Sequence, residues 1–448
     1  MKNACKLILS LSSAVLCASL TGCGIGGVST PVTLNVPANA VTGKVMGGQQ
    51  PVYNVAIQLY EVGLTGYGSA SKPLLTPNTV YTTAYGNFTL PAFTCDTPGS
   101  LVYLTAVGGQ PIPGTTNANL SMMVGLGACS GVTSQYIDVN EMTTIASVWS
   151  LAPFMTGIAN IGSSFTNSLG ISNAFASINK VANTATGALG GPALPSNGIL
   201  PTTELNTLAD ILQACINSGG GVATDTTDGQ TNGTACGRLF YLTGGGSGST
   251  ITDTVTAATK IAQNPGTNVT KLNQLRASSP TFTPALNVNS SPTDWTIAIA
   301  YSGGGLNNPQ VVATDQQGNV WLANGGNNSV SEFGPTGAAI STSTGFTGGG
   351  LSTPAGIAID QSGNAWVANS GGTSITKIGP AGASATNYSG NSVSSPSSIA
   401  IDAAGNVFVG NGSGSKISAF TSTGGVLTGS PFAGGGLGTG GYVAVSPK

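Results

Sequence analysis

Histidine is absent from this 448-residue chain, and charge is scarce, with 12 Lys+Arg and 14 Asp+Glu. Charged residues make up 6%, against about 25% in an ordinary soluble domain. Without histidine there is no Ser-His-Asp triad, no imidazole metal ligand and no imidazole acid or base. A net charge of −2 without basic clusters argues against nucleic acid as a partner, because neutralising phosphates needs Lys and Arg in number. Nor is the scarcity that of a disordered chain, in which low hydrophobicity accompanies high charge. Here 40% of residues are hydrophobic, enough for real cores at this length.

The first residues set an address. Lys2 and Lys6 form a basic start, and residues 7–20 are an apolar stretch of signal-peptide length, too short to span a bilayer as a stable helix. The stretch ends Leu20-Thr21-Gly22-Cys23, which resembles the lipobox of bacterial lipoproteins. The resemblance implies removal of residues 1–22, lipidation of Cys23 and anchoring by several acyl chains. Gly24, not Asp, follows the cysteine, which points to the outer membrane. Residues 23–39 read as a tether. An exported, membrane-anchored chain of the cell envelope is the expectation.

Cysteine usage agrees with export. Cys5 and Cys17 leave with the signal and Cys23 takes lipid, so Cys95, Cys129, Cys215 and Cys236 remain. An even remainder in an exported chain suggests two disulfides, and order favours Cys95–Cys129 and Cys215–Cys236. The rival reading, a metal site, lacks a CxxC pair and any histidine.

The expected architecture is multidomain and mainly β: a β-sandwich, a helical segment, then partial β-propeller repeats. Residues 40–140 alternate apolar and polar side chains, as in Val55 to Tyr60 and Leu101 to Ala106. The string VTGKVMGGQQPVYNVAIQLYEVG with TTAYGNFTLPAF resembles carboxypeptidase regulatory-like domains, which are transthyretin-like sandwiches. Tyr85 stands where those domains carry an acid. Residues 141–290 change to helical spacing. Helices are expected over 142–155, 172–186, from a hydroxyl cap at Thr202-Thr203 onward, over 251–262 and over 269–275. The Gly- and Thr-rich stretch 218–235 reads as an exposed connector.

Residues 291–448 repeat. Asp315-x-x-Gly318-Asn319, Asp360-x-x-Gly363-Asn364 and Asp402-x-x-Gly405-Asn406 step by 45 and then 42 residues, within the range of a propeller blade. Val443 to Ser446 begins a fourth copy. The pattern P-x-x-[IV]-A-[IT]-D-x-x-G-N-[AV]-[WF]-[VL]-[AG]-N resembles NHL-type repeats and the propeller of virginiamycin B lyase. About three and a half units fit into this stretch. An incomplete propeller is therefore expected, with closure by a lead-in strand Trp295-Ile297-Ile299 or by other chains as alternatives. In the repeated turn the Asp is expected to accept backbone N–H groups and the Gly to supply φ > 0. One Asp and one Asn per turn are too few oxygens for calcium. Trp321 and Trp366 read as core.

No cofactor, metal or catalytic residue is implied. The function these features suggest is a lipid-anchored, non-catalytic envelope protein whose propeller binds a partner, an uncharged polysaccharide or a protein. A lyase like the one the repeats resemble would need a histidine base, and a purely structural envelope component is the remaining alternative.

Overall fold

The computed structural model describes residues 33–446 except 77, 78, 134, 226–231, 247, 248, 278, 439 and 440. The signal segment and Cys23 lie outside the described residues.

Leu34–Val36 pairs antiparallel with Phe93–Cys95, beside two larger sheets. One orders Ser121–Ala128, Leu101–Val107, Ala56–Glu61 and Lys72–Pro73, with Val80–Tyr81 also on Ala56–Glu61. The other orders Tyr136–Val139, Thr42–Gly47 and Gln50–Pro51, with Asn87–Thr89 on the second strand. The alternation of Thr42–Gly47 and of Ala56–Glu61 turns one face of each inward, as period-two patterning requires. Thr83 and Gly86 close the predicted turn, with the Gly86 N–H donating to the Thr83 carbonyl.

Helix α1 (Glu141–Leu151) starts on a capping box between Asn140 and Thr143. It is followed by α2 (Ser168–Val181), α3 (Thr202–Ile216), α4 (Ala235–Gly244), α5 (Thr254–Gln263) and α6 (Val269–Asn273). Several spans differ from expectation: α1 ends at Leu151 rather than at 155, where Met155 begins a short strand, α5 begins at Thr254 rather than at 251, and α6 ends at Asn273 rather than at 275. Helix α2 begins four residues earlier than its spacing suggests and ends at Val181. No hydroxyl caps α3: Pro201 is its N-cap residue, and Thr202 and Thr203 lie inside the first turn. Helix α4 was not foreseen; Thr234 caps it through the Gly237 N–H, and Leu239, Phe240 and Leu242 anchor it.

Sandwich and helices are not separate modules. A single hydrophobic core runs from Val36 to Trp295. The sheet edge Ser121–Ala128 is buried because α1 covers it: the Met123 and Gly125 N–H groups donate to the Thr144 and Ser147 hydroxyls. An edge strand otherwise presents unpaired donors to any strand in solution. Disulfides Cys95–Cys129 and Cys215–Cys236 are both formed within this core. The second joins the end of α3 to the first turn of α4, and the described part of the 218–235 connector folds back on it, the Gly221 N–H donating to Asn119 Oδ1.

Trp295 also belongs to this first core, fully buried, its carbonyl accepting the Trp149 indole N–H. The lead-in strand expected over 295–299 therefore does not join the repeats. The chain crosses over at Ala300–Tyr301, which pairs antiparallel with Gly198–Ile199.

Three antiparallel blades follow. The first comprises Pro309–Thr314, Val320–Asn324 and Ser329–Phe333, with Phe346 bridged to Val330 in the fourth-strand position. The second comprises Pro354–Ile359, Ala365–Asn369, Ser374–Ile378 and Ala385–Ser389. The third comprises Pro396–Ile401, Val407–Asn411, Lys416–Phe420 and Phe432–Ala433. Each repeat forms three strands, and in the second and third a fourth arises from the Gly-rich connection. Val443 to Ser446 forms no strand. The cores lie between blades: Trp321, Val330, Ile357 and Val367 join the first two, and Trp366, Ile375, Ile399 and Val409 join the last two.

Candidate binding surface on the repeat turns

Each D-x-x-G-N turn is built by its aspartate. Asp315 Oδ1 accepts from the Gln317 and Asn319 N–H groups, and its Oδ2 accepts from the Asn319 amide. Asp360 does the same with Ser362 and Asn364, and Asp402 with Ala404 and Asn406. Gly318, Gly363 and Gly405 sit at φ 81, 78 and 82°, a left-handed conformation that a Cβ would strain. The sequence gives no sign of a second duty: the indole N–H of fully buried Trp321 donates to Asp315 Oδ2 at 3.1 Å, and that of Trp366 to Asp360 Oδ2 at 3.0 Å. In the third blade Phe408 takes the aromatic position and Asp402 has no indole to receive.

The electrostatics follow from this bonding. Burial pushes the Asp360 carboxyl up, but bonds from Asn364, Trp366 and Ser362 outweigh it and hold the group below the ordinary aspartate value. Asp315 and Asp402 are lowered by the same balance. These carboxylates are ionised turn anchors. Among the described residues no group of three or more Cys, Asp or Glu side chains is gathered to hold a metal ion.

The other recurrent polar side chains are equally engaged. The asparagine that closes each pattern is a clamp. Asn324 donates to Ser329 and Ser331, Asn369 to Ser374 and Thr376, and Asn411 to the Lys416 carbonyl and Ser418. Their oxygens accept from Asn307, Ser352 and Ser394 on the incoming connections. Glu332 bridges two blades, accepting from Asn319 of its own and from the Ala381 N–H of the next. Burial raises its carboxyl. At the equivalent place in the second blade Lys377 lies 4.9 Å over the Trp366 ring and donates to the Ser422 carbonyl of the third.

Between the first two turns a groove of about 200 Å³ is lined by Thr314, Asp315, Gln316, Ile359, Asp360 and Gln361. With both aspartates turned inward to their own loops, the exposed groups at its rim are the Thr314 hydroxyl and the Gln316 and Gln361 amides. Gln361 also donates to the Ala403 carbonyl of the third turn. A wider and more apolar cleft of about 480 Å³ lies elsewhere, between Glu61–Leu64, Asp96–Leu101 and α2.

Several solved structures are similar to part of the chain. No protein-family model and no curated protein matches it. A catalytically inactive histidine variant of virginiamycin B lyase from Staphylococcus aureus, with quinupristin, is 20% identical over 29% of this chain and 44% of that one, with a TM-score of 0.26. The nidogen/laminin complex is 16% identical over 28% and 48%, with a TM-score of 0.24. A protein of unknown function from Bacteroides caccae is 17% identical over 31% and 50%, with a TM-score of 0.24. The chain spans less than half the length of the lyase structures it matches.

Proposed function

We propose that this is a lipid-anchored, non-catalytic protein of the cell envelope, held in the outer membrane through Cys23. It presents its blades to an uncharged polar ligand, with polysaccharide as the favoured class. The supporting observation is the division of labour on the turn surface. The repeated carboxylates are consumed by internal bonds, so amides, hydroxyls and backbone groups face outward around the groove at Gln316 and Gln361. Such groups exchange hydrogen bonds with sugar hydroxyls without having to desolvate a charge.

The test uses the chain without residues 1–22 and with Cys23→Ser, applied to an array of neutral polysaccharides. Binding is expected, and a Gln316→Ala/Gln361→Ala variant loses two amide bonds at about 1 kcal/mol each, weakening it roughly thirtyfold. Absence of any binding, or unchanged binding by the double variant, removes this ligand class. Anchoring is tested separately by palmitate labelling of the full chain; label that persists in Cys23→Ser counts against the anchor.

A further inference from the structure

The blade interfaces are built to one plan, and one copy of that plan is empty. In the first interface Trp321 meets Phe346 at a tilt of 47° with ring centroids 6.0 Å apart and packs with Ile357, Ala365, Val367 and Ile378 of the next blade. In the second, Trp366 stacks on Tyr388 at 5.4 Å, against Ile399, Val407, Val409 and Phe420. Phe346 and Tyr388 hold the same place: opposite Val330 and Ile375, and pressed on Gly382 and Gly424 of the following blade.

Ahead of the first blade Tyr301 occupies that place, its ring pressed on Gly337 in the same way. It lies 45 residues before Phe346, the spacing that also separates Gly337 from Gly382. The wall it faces carries Val320, Leu322 and Phe333, the counterparts of Ala365, Val367 and Ile378. Between them, where Trp321 and Trp366 sit in the other two interfaces, is a cavity of about 310 Å³ lined by Tyr301, Leu306, Val320, Leu322, Phe333 and Pro335, among others. The rest of this face is bare. Val312 is 59% exposed, whereas Ile357 and Ile399, at the same position of the later blades, are 7% and 9% exposed. An apolar wall of core composition left uncovered marks an interaction site.

We propose that this slot receives the tryptophan side chain of an extended strand from a partner polypeptide, stacked on Tyr301 as Trp366 is stacked on Tyr388. The chemistry of the occupant is set by the two filled copies. Each takes a flat aromatic ring from a strand of sequence Trp-apolar-Ala-Asn, read here at Trp321 to Asn324 and Trp366 to Asn369. Offset stacking on a fixed aromatic ring and enclosure by aliphatic walls select a planar bicyclic group over an aliphatic one of equal area. This site is separate from the polar turn groove and does not depend on the ligand proposed there.

The test is saturation-transfer NMR on the chain without residues 1–22, with Cys23→Ser, using two probes. One is N-acetyltryptophanamide and the other is a capped peptide of the chain's own strand, AWVANS. Transfer to the indole protons of both is expected, with the peptide binding more tightly. Tyr301→Ala, which removes the platform, and Val320→Trp, which fills the slot, each weaken binding at least tenfold. A melting curve like that of the parent checks that each variant is folded. If neither probe binds, or if both variants bind as the parent does, the site is overturned. Binding of the amide but not the peptide overturns a strand as the occupant.

Discussion

Replacing Asp360 by Ala tests whether the repeated aspartate holds the buried tryptophan as well as the turn. Asp360 is 8% exposed and accepts from Ser362 N and Asn364 N at 2.9 Å each, from the Asn364 amide at 2.9 Å on both oxygens and from Trp366 Nε1 at 3.0 Å, with Lys377 Nζ 3.6 Å from its Oδ2. The turn donors lie near solvent, so water replaces part of what they lose. The Trp366 indole is fully buried between two blades, and its N–H would be left without an acceptor. A buried orphan donor costs about 1–3 kcal/mol, and bonds to a charged acceptor contribute about 1.5–3 kcal/mol each before water replaces them. The expected loss for Asp360→Ala is therefore about 3–5 kcal/mol. Asp402 provides the internal control: it builds the same turn but faces neither an indole nor a lysine, since Phe408 and Ala419 stand where Trp366 and Lys377 do, so Asp402→Ala should cost only about 1–2 kcal/mol. Denaturant unfolding of both variants, followed by circular dichroism and by tryptophan emission, measures the difference. Losses that agree within about 0.5 kcal/mol, or a larger loss for Asp402→Ala, would refute the second duty of the carboxylate. A further consequence concerns acid. Because the folded-state pKa is depressed, this stabilisation is present above the ordinary aspartate value of 3.8 and is lost as pH falls through the lower folded-state value.

Two other perturbations have definite signs. Glu141 is fully buried, its Oε1 accepting the Gly48 N–H and its Oε2 without a partner, and burial pushes its carboxyl up from 4.5 to about 8. The folded protein keeps this proton where the unfolded chain has lost it, so this group's contribution to stability is fully present below pH 4.5 and declines until about pH 8. Glu141→Gln keeps the acceptor for Gly48 and removes the titration. Its urea midpoint should exceed that of the parent by a few kcal/mol equivalent near pH 8 and match it near pH 4, and a parent midpoint that does not fall over this range would contradict the assignment. The disulfides close loops with separations of 34 and 21 residues, and each contributes about 3–4 kcal/mol on the chain-entropy model, slightly more for Cys95–Cys129. Double Ala variants of each pair should both melt earlier than the parent, and a variant melting at the parent temperature would show that its bridge adds nothing.

The parts of this fold legible in sequence are those that repeat or alternate. Asp315, Asp360 and Asp402 mark three turns because each can accept the turn's N–H groups while the Gly three residues on adopts the left-handed conformation the turn needs. The strand spans Ser329–Phe333, Ser374–Ile378 and Lys416–Phe420 follow from the same period. Helix α4 was masked by the glycines and threonines around it, and its stability comes from Leu239 and Phe240 entering a core assembled by distant segments. Alternation misled at Trp295-Ile297-Ile299, since period two predicts an extended chain but not which core it feeds. Here the indole goes to the helical body, beside Trp149. The bond from Trp366 to Asp360 was invisible for a related reason: it crosses a turn between residues six apart, a reach that neither helical nor strand periodicity encodes.

The scarcity of charge acquires a physical meaning at the blades. A stack of sheets exposes its turns and buries its faces, so a repeat can spend one carboxylate on folding the turn and holding the aromatic ring behind it. Glu332 and Lys377 show where the remaining charges go: they occupy the same place in successive blades, and each reaches a backbone group of the next. Opposite charges serve equally well there because the partners differ, an N–H for the acid and a carbonyl for the base. The third copy has Ala419 at this place, which leaves its outward side without a tether to a following sheet, while Phe432 on the same blade is 38% exposed. Within the first two blades, therefore, Asp315, Glu332, Asp360 and Lys377 serve turns and joints, and the surface left there for partners is made of what remains: amides and hydroxyls on the turns, and apolar faces where no blade is packed.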